Sequence, residues 1–547
     1  MSGENEKIEI TPPPTETGLL SRSQQWGTWA IVGLALLLRL LWLGSKPPHF
    51  DEGVNGWFID QMAKQGFYHY DPGNYHGPFH FYVLFLAQTL LGRSVEALRL
   101  PLVLINAATV WLVLQFRRFL PWRACVLAAL AFAVSPGMLF YSRYAIHEAW
   151  MVFGMVLAFW GAAEMWSRGT SRGLWAATMG VTLLVLTKET YVIHLAAFGL
   201  AVVTLLALER LTPSAPDFPL RPASQQADTR KMTDVVSVGI LLILFFYSGG
   251  FLDPSSLPGL MRTFADWFHT GVNSDAHAKP PYYWLLLVGR YEWPVLIGLC
   301  WSVRALWPGM NRLARLLAIY GCGAFVAYSL VPYKTPWCII SLLWPFFFLW
   351  GMAVHSLKRG AEWVGAIVLG ASLAATVHLN YLHPTEPGES VGRISKNLKE
   401  FHFPTYVYVQ TTNDLDKLTQ PLVRLTAINP AARHMKAHIL LSSYHPLPWV
   451  LGEFTAVGYY DKGMPPVMDA GFIVAEEDRI PALEAQLGEK YFVAPFQLRD
   501  GMSGGKLYFN AREFAEVFPG RTPEFSPKTA ATGEPLVAPA IPTSPTR

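Results

Sequence analysis

Long apolar runs alternate with short polar connections between residues 26 and 379, and the spacing predicts a bundle of membrane-crossing helices. A helix needs about 20 apolar residues to cross the hydrocarbon of a bilayer. Runs near that length fall at 26–44, 79–92, 101–117, 122–140, 149–166, 173–187, 191–209, 233–251, 283–303, 312–331, 336–356 and 361–379, the second being short. The connections RRFLPWR, WSRGTSRG, LERL with RPASQQADTRK, VRALWPGMNRLAR and HSLKRG are basic, which marks them as cytoplasmic. The connections between them, SRYAIHE, LTKET, 251–283 and VPYKTPW, mix acids, aromatics, His and single basic residues, and belong to the other side. The two sets alternate consistently when 79–92 does not cross but lies as a juxtamembrane or re-entrant helix in one long outer loop, 45–100. Eleven spans follow, with the N-terminus inside and the C-terminus outside. A twelve-span arrangement puts HFDEG or RRFLPWR on the wrong side.

Past residue 380 the pattern changes. Short β-like runs, TYVYVQ (405–410), AHILLSS (437–443), GFIVAEE (471–477) and KYFVAPF (490–496), alternate with helix-like pieces such as IPALEAQLG (480–488). The expected organisation is a disordered cytoplasmic tail (1–24), a transmembrane domain (25–380), a small extracytoplasmic α/β domain (381–520) and a disordered Pro-rich tail (521–547). The fold class is an α-helical polytopic membrane protein carrying that α/β domain.

Composition sharpens this reading. The chain of 547 residues is 52% hydrophobic and only 15% charged, with 20 Trp and a mean hydropathy of +0.26, values of a polytopic membrane protein rather than a chain of soluble domains. The net charge of +4 says little about partners, and nucleic acid is not expected among them. Cys125, Cys300, Cys322 and Cys338 lie in or beside apolar runs without CxxC spacing, so neither a zinc site nor a disulfide framework is indicated. The first apolar run ends in LGSKPPHF, a poor cleavage site, and reads as an uncleaved anchor in the cytoplasmic membrane. No internal repeat, heptad run or phosphate-loop motif is present. Neither GVNG nor GMSGGK matches a nucleotide-binding fingerprint.

The candidate chemistry gathers on one membrane face. The first outer loop carries His49, Asp51 and Glu52, then His69, Asp71, His76 and His80, then Arg99. The second outer connection has Arg143, Tyr144, His147 and Glu148; the third has Lys188 and Glu189; the last has Lys334. Adjacent residues on a helix or strand point apart, so Asp51 and Glu52 take different roles: one faces a cavity, the other holds backbone or a basic side chain. Each residue also has a plain reading. Asp51 is a polar end on a membrane helix, Lys188 and Lys334 are interfacial lysines reaching for water, and the histidines are ordinary interface residues. Three histidines of the first loop, His69, His76 and His80, with Asp71 nearby leave a divalent metal open, although their spacing matches no tight ligand motif. Taken together, acids with isolated lysines suit a reaction needing a general base and cations for a leaving phosphate.

Several blocks resemble the C-type glycosyltransferase superfamily, in the branch of protein O-mannosyltransferases and bacterial aminoarabinose (lipid A) transferases. They are HFDEG after the first span, YHGPFHFYVLFLAQTLLGRSVEALRLP, SRYAIHEAWMVF, LTKET, PYKTPWCIISLLWPFF and YHPLPWVLGEF. Within that branch the sequence looks most like the group named for an archaeal flippase-activity-associated protein of N-glycosylation. The resemblance implies transfer of a sugar from a polyprenyl-phosphate donor, with inversion, at the outer face of the membrane. It implies Asp51 as the base with Glu52 beside it, and Glu148 where relatives usually have Asp. Lys188, Lys334, Arg99 and Arg143 fall at positions near the donor phosphate, and His49, His76, His80, Tyr144 and Glu189 are the expected substrate-binding groups. The expected partners are the lipid-linked donor, the bilayer, and an acceptor that is protein, lipid or glycan. Two other readings stand beside it: a non-catalytic flippase accessory or transporter of lipid-linked sugars, and a scaffold that has lost activity. A transporter calls for charges along a mid-membrane path, where only Glu164 and Glu292 stand out.

Overall fold

The computed structural model describes residues 20–215, 229–273, 277–358, 360–382 and 404–527. The tail 1–19, most of the basic connection RPASQQADTRK, the junction 383–403 and residues 528–547 of the Pro-rich tail lie outside the described residues. Two compact units are present. One comprises residues up to 413 together with 445–452 and 499–501; the other comprises 414–444, 453–498 and the chain from 502.

The first unit is a helical bundle. Its elements are α1 (Arg22–Leu40), α2 (Phe50–Gln65), α3 (Phe79–Leu91), α4 (Val95–Gln115), α5 (Trp122–Val134), α6 (Pro136–Ser142), α7 (Glu148–Arg168), α8 (Ser171–Thr187), α9 (Tyr191–Glu209), α10 (Thr229–Tyr247), α11 (Gly259–Asn273), α12 (Tyr283–Tyr291), α13 (Trp293–Trp301), α14 (Arg312–Leu330), α15 (Ile340–His355) and α16 (Trp363–Val377). Among the described residues, six helices are long and apolar enough to cross a membrane, and α5 with α6 forms a seventh if the bent pair is one span. This is a multi-pass membrane protein.

The expected eleven spans are not all single long helices. The run 122–140 divides at Ser135, where the chain bends by 56°; Pro136 lacks an N–H and opens a new helix beneath a Ser135 cap. The run 283–303 divides at Glu292, with Pro294 in the first turn of α13. The α3 helix has 13 residues, short of a span.

The α7–α8 hairpin shows how packing delivers chemistry to one end of the bundle. A Cβ on Gly161 would lie 2.2 Å from Ala177 N, and one on Gly180 would lie 2.5 Å from Ala158 N, so the two backbones touch through glycine. Two antiparallel helices of 21 and 17 residues joined by two residues must bring their far ends together. Those ends are Glu148, which opens α7, and Lys188, which caps α8.

The second unit holds α17 (Leu415–Ile428) and a five-stranded sheet of β1 (Lys436–Leu440), β2 (Ala456–Tyr459), β3 (Phe472–Glu476), β4 (Tyr491–Phe496) and β5 (Gly505–Asn510). The strand order is β2-β1-β3-β5-β4; β1 runs parallel to β2 and β3, and β5 is antiparallel to β3 and β4. The strand β3 is buried along its whole length, which matches its apolar run FIVA (472–475) ahead of Glu476. Two expectations for this region change. TYVYVQ is not a strand of this sheet: Tyr406, Tyr408 and Gln410 are buried within the helical unit. The block HPLPWVLG (445–452) also belongs to the helical unit, where its turn Leu447–Val450 lies on α2. Gly53 and Gly56 make room for it, since a Cβ on either would meet Pro446 or the Trp449 ring at 2.3 Å. The glycines of GVNG are therefore a packing surface.

Candidate active site

The site begins at the N-terminus of α2. His49 caps this helix: its Nδ1 accepts from Asp51 N at 3.2 Å, and Glu52 Oε2 reaches back to accept from His49 N at 2.8 Å. The two neighbouring carboxylates then part. Glu52 is fully buried and takes Arg99 Nε at 2.8 Å, Arg99 Nη2 at 2.7 Å and Ala145 N at 2.9 Å. Burial pushes its carboxyl up, but the Arg99 guanidinium and the backbone N–H groups outweigh that and hold it below the ordinary carboxylate range. Asp51 is half-buried. Among the described residues its carboxylate accepts no hydrogen bond and joins no ion pair.

The surroundings of Asp51 come from distant segments. Burial raises the Tyr75 hydroxyl above its ordinary value, with Glu189 and Asp51 acting the same way and Lys188 opposing them. Burial likewise raises Tyr333, which feels Tyr75, Asp51 and Lys188. Burial lowers His277, while Asp51 acts to raise it. Tyr75 and Tyr333 thus stand within the fields of both Asp51 and Lys188. His277 Nδ1 pairs with the Tyr408 hydroxyl at 2.7 Å, and its carbonyl accepts from Lys334 N at 3.0 Å.

The turn YHGP docks on the end of α8, where Gly77 N donates to Thr187 O at 3.1 Å and His76 forms a bridge with Lys188. A Cβ on Gly77 would lie 2.2 Å from Leu186 O, so only glycine allows the approach. His76 Nδ1 then meets Glu189 Oε2 at 2.9 Å. Lys188 Nζ donates to Glu148 Oε1, and Cys338 Sγ lies 3.7 Å from the same oxygen. Burial works against charge on Lys188, yet Glu148 holds it well above the ordinary lysine value. Lys334 is buried and donates to the carbonyls of Val331 and Lys279; with no acid against it among the described residues, burial lowers its pKa to about 8.

Asp51, Glu148, Lys188, Lys334, His76 and Glu189 therefore collect at one end of the bundle, linked by Tyr75 and Tyr333. Other expected site residues are engaged elsewhere. Arg99 directs all five N–H donors to Glu52 and to the carbonyls of Leu43, Lys46 and Pro47, leaving none for a phosphate. Arg143 Nη2 ties down Leu41 O at 2.8 Å and Trp42 O at 2.6 Å. His49 also bonds Tyr408 O, and Tyr144 donates to Gln410 Oε1 at 2.6 Å. His80 accepts from Trp150 Nε1 on Nδ1, so its Nε2 carries the proton that it donates to Ala145 O at 3.2 Å. Of the first-loop histidines, His69 goes to Asp253 at 3.1 Å, whereas His76 and His80 both pack on the His147 ring, with centroids 4.6 Å and 4.2 Å away, while their nitrogens meet Glu189 and Trp150. Among the described residues no three His, Cys, Asp or Glu side chains gather as a metal site would need. Tyr75, Tyr333, His277 and Tyr408 were not legible as site residues, although the aromatic VPYKTPW beside Lys334 offered a signal.

A comparison with curated protein sequences returns no significant match. The family model for dolichyl-phosphate-mannose-protein mannosyltransferase matches residues 75–214, well under half of the chain, a stretch holding His76, Arg99, Arg143, Glu148 and Lys188 but not Asp51 or Lys334. Among solved structures, the chain is similar to ArnT from Cupriavidus metallidurans bound to undecaprenyl phosphate, with a TM-score of 0.58 and 15% identity over 89% of this chain and 98% of that one. It is equally similar to the same protein in the apo state, with a TM-score of 0.58 and 15% identity over 90% and 99% of the two chains. At that identity the likeness is one of fold: the chain carries the fold of ArnT.

Proposed function

We propose that the chain is a membrane glycosyltransferase that moves a sugar from a polyprenyl-phosphate donor to an acceptor at the outer face of the cytoplasmic membrane, with inversion. The observation that carries this reading is the half-buried Asp51 carboxylate, unpaired among the described residues, at the bundle end that also holds Lys188 and Lys334. Asp51 takes the proton of an acceptor hydroxyl or amine as that atom attacks the anomeric carbon. The bond from that carbon to the phosphate oxygen breaks on the opposite side, and the polyprenyl phosphate leaves with the electron pair. Lys188, oriented by Glu148, and Lys334, oriented by backbone carbonyls, meet the charge that develops on the leaving group. The fold shared with ArnT, whose structure holds undecaprenyl phosphate, supports a donor of this class. The subgroup resemblance to the archaeal flippase-associated protein rests on the sequence blocks alone.

The test is turnover by the purified full chain in lipid nanodiscs, supplied with a panel of sugars on polyprenyl phosphate. Release of polyprenyl phosphate with transfer to an acceptor is expected. Movement of the intact donor between leaflets without release would establish the transporter reading instead. Mass spectrometry of glycans and lipid-linked sugars in a deletion strain then names sugar and acceptor.

Lys334 gives this reading a pH signature. Its cation is present below about pH 8 and is lost as pH rises through that value. The kcat/KM for donor, which reports the free enzyme, is therefore expected to fall above about pH 8. Lys334→Arg, which stays charged, should move that alkaline limb upward by more than a unit. A limb unmoved by the substitution would assign it to another group.

A further inference from the structure

Behind the Glu52–Arg99 pair lies a second group of cations that the proposed chemistry does not use. Lys46 is 1% exposed, and its ammonium has no hydrogen-bond partner among the described residues; it sits 3.6 Å from the centroid of the Phe140 ring. Arg143 is also 1% exposed, and its Nε and Nη1 have no hydrogen-bond partner among the described residues either. The charges acting most on Lys46 after burial itself are Arg143 and Arg99, both of the same sign, with Glu52 opposing them. Glu52 cannot serve as the counter-ion, because Arg99 and two backbone N–H groups already occupy its oxygens.

A buried guanidinium edge short of acceptors costs several kcal/mol of desolvation unless an anion meets it, and a buried amine beside it, whose pKa burial holds well below the ordinary lysine value, keeps its proton only when an anion arrives. The cover over them is thin. Arg143 stacks on Tyr381 at 4.9 Å, and Tyr381 meets Trp42 edge-on at 5.8 Å. Trp42 is 68% exposed, and Leu382 beside Tyr381 is 65% exposed. These exposed apolar side chains flank the end of α1, where a membrane helix reaches the interface and aromatic residues sit at headgroup level.

We propose that Lys46 and Arg143 form an anion site that takes the phosphate of an amphiphile in the outer leaflet, reached when the Trp42 ring turns aside. The site is separate from Lys188 and Lys334 and does not rest on the glycosyl-transfer reading. Lys46 supplies the charge and Arg143 supplies two directed donors; the aromatic cover lies along the lipid's glycerol and upper acyl chains.

The test uses the delipidated full chain in detergent and follows its thermal unfolding midpoint against dioleoylphosphatidylglycerol, dioleoylphosphatidylcholine and inorganic phosphate. Phosphatidylglycerol should raise the midpoint in a saturable way and phosphatidylcholine should not. Lys46→Met should weaken the phosphatidylglycerol response by about 10-fold or more. Met fills the same space without an unmet charge, so this variant folds, and without lipid its midpoint should equal or exceed that of the parent chain. If inorganic phosphate alone reproduces the response and Lys46→Met removes it, the site stands and its ligand is free phosphate. An equal response in the Lys46→Met variant, equal responses to both lipids, or no response in the parent chain would each overturn the site.

Discussion

Asp51→Asn is expected to lower sugar transfer by about 10²- to 10⁴-fold, the span that a positioned general base contributes, while leaving fold and donor affinity close to normal. The structural side of that statement follows from what Asp51 does not do. Its carboxylate holds no donor among the described residues, so an amide of the same shape breaks no hydrogen bond. The one structural loss is a negative charge in the first turn of α2, worth about 0.3–1 kcal/mol at a helix N-terminus. The catalytic side follows from the chemistry: Asn cannot take a proton, and no other unpaired carboxylate is described beside it to do so. Glu148 is bound to Lys188, Glu189 to His76 and Glu52 to Arg99. Two measurements separate the effects: single-turnover transfer should collapse, and donor binding should change little. Near-normal single-turnover transfer by Asp51→Asn would remove Asp51 as the base.

How much of this was legible in the sequence depends on the range of the interactions involved. The helical bundle is written in run length, and the convergence of HFDEG, SRYAIHE, LTKET and VPYKTPW follows from alternation of basic and non-basic connections. The pairing of Glu148 with Lys188 was within reach, since a hairpin with a two-residue connection sets its far ends side by side. What was hidden depends on three-dimensional packing between remote segments. Arg99 is 47 residues from Glu52, and nothing local says that its donors go to Glu52 and three carbonyls rather than to a phosphate. TYVYVQ has the alternation of a strand, and the buried surface that claims it lies in the helical unit: Tyr406 donates to Glu292 Oε1 at 3.0 Å, at the break between α12 and α13. The breaks at Ser135–Pro136 and Glu292 inside apolar runs were hidden, because hydropathy averages across a break that backbone geometry cannot.

The other large effect is structural. Glu52→Ala is expected to destabilise the helical unit by about 3–5 kcal/mol, the cost of leaving a buried charge without its partner. Arg99 would keep its carbonyl contacts but lose both oxygens of a bidentate pair in which neither side chain is exposed, and His49 N and Ala145 N would lose acceptors as well. Arg99 also fixes Leu43, Lys46 and Pro47, the strand of chain that delivers α2, so the displacement would pass directly to Asp51. Unfolding midpoint and folded yield in detergent measure the loss. A double variant that removes both charges, Glu52→Leu with Arg99→Met, should recover a large part of it, because the penalty belongs to the orphaned guanidinium. Its activity should nevertheless remain low, since neither apolar side chain can hold the 43–47 carbonyls or the cap of α2. The pH dependence has a definite sign. The folded Glu52 pKa lies below its unfolded value, so its contribution is complete above the unfolded carboxylate pKa, about 4.3, and is lost as pH falls through the lowered folded value. Wild-type protein should therefore lose stability on acidification below about pH 4.3 more steeply than the double variant. Equal acid sensitivity in the two would show that Glu52 does not hold this end of the bundle through its charge.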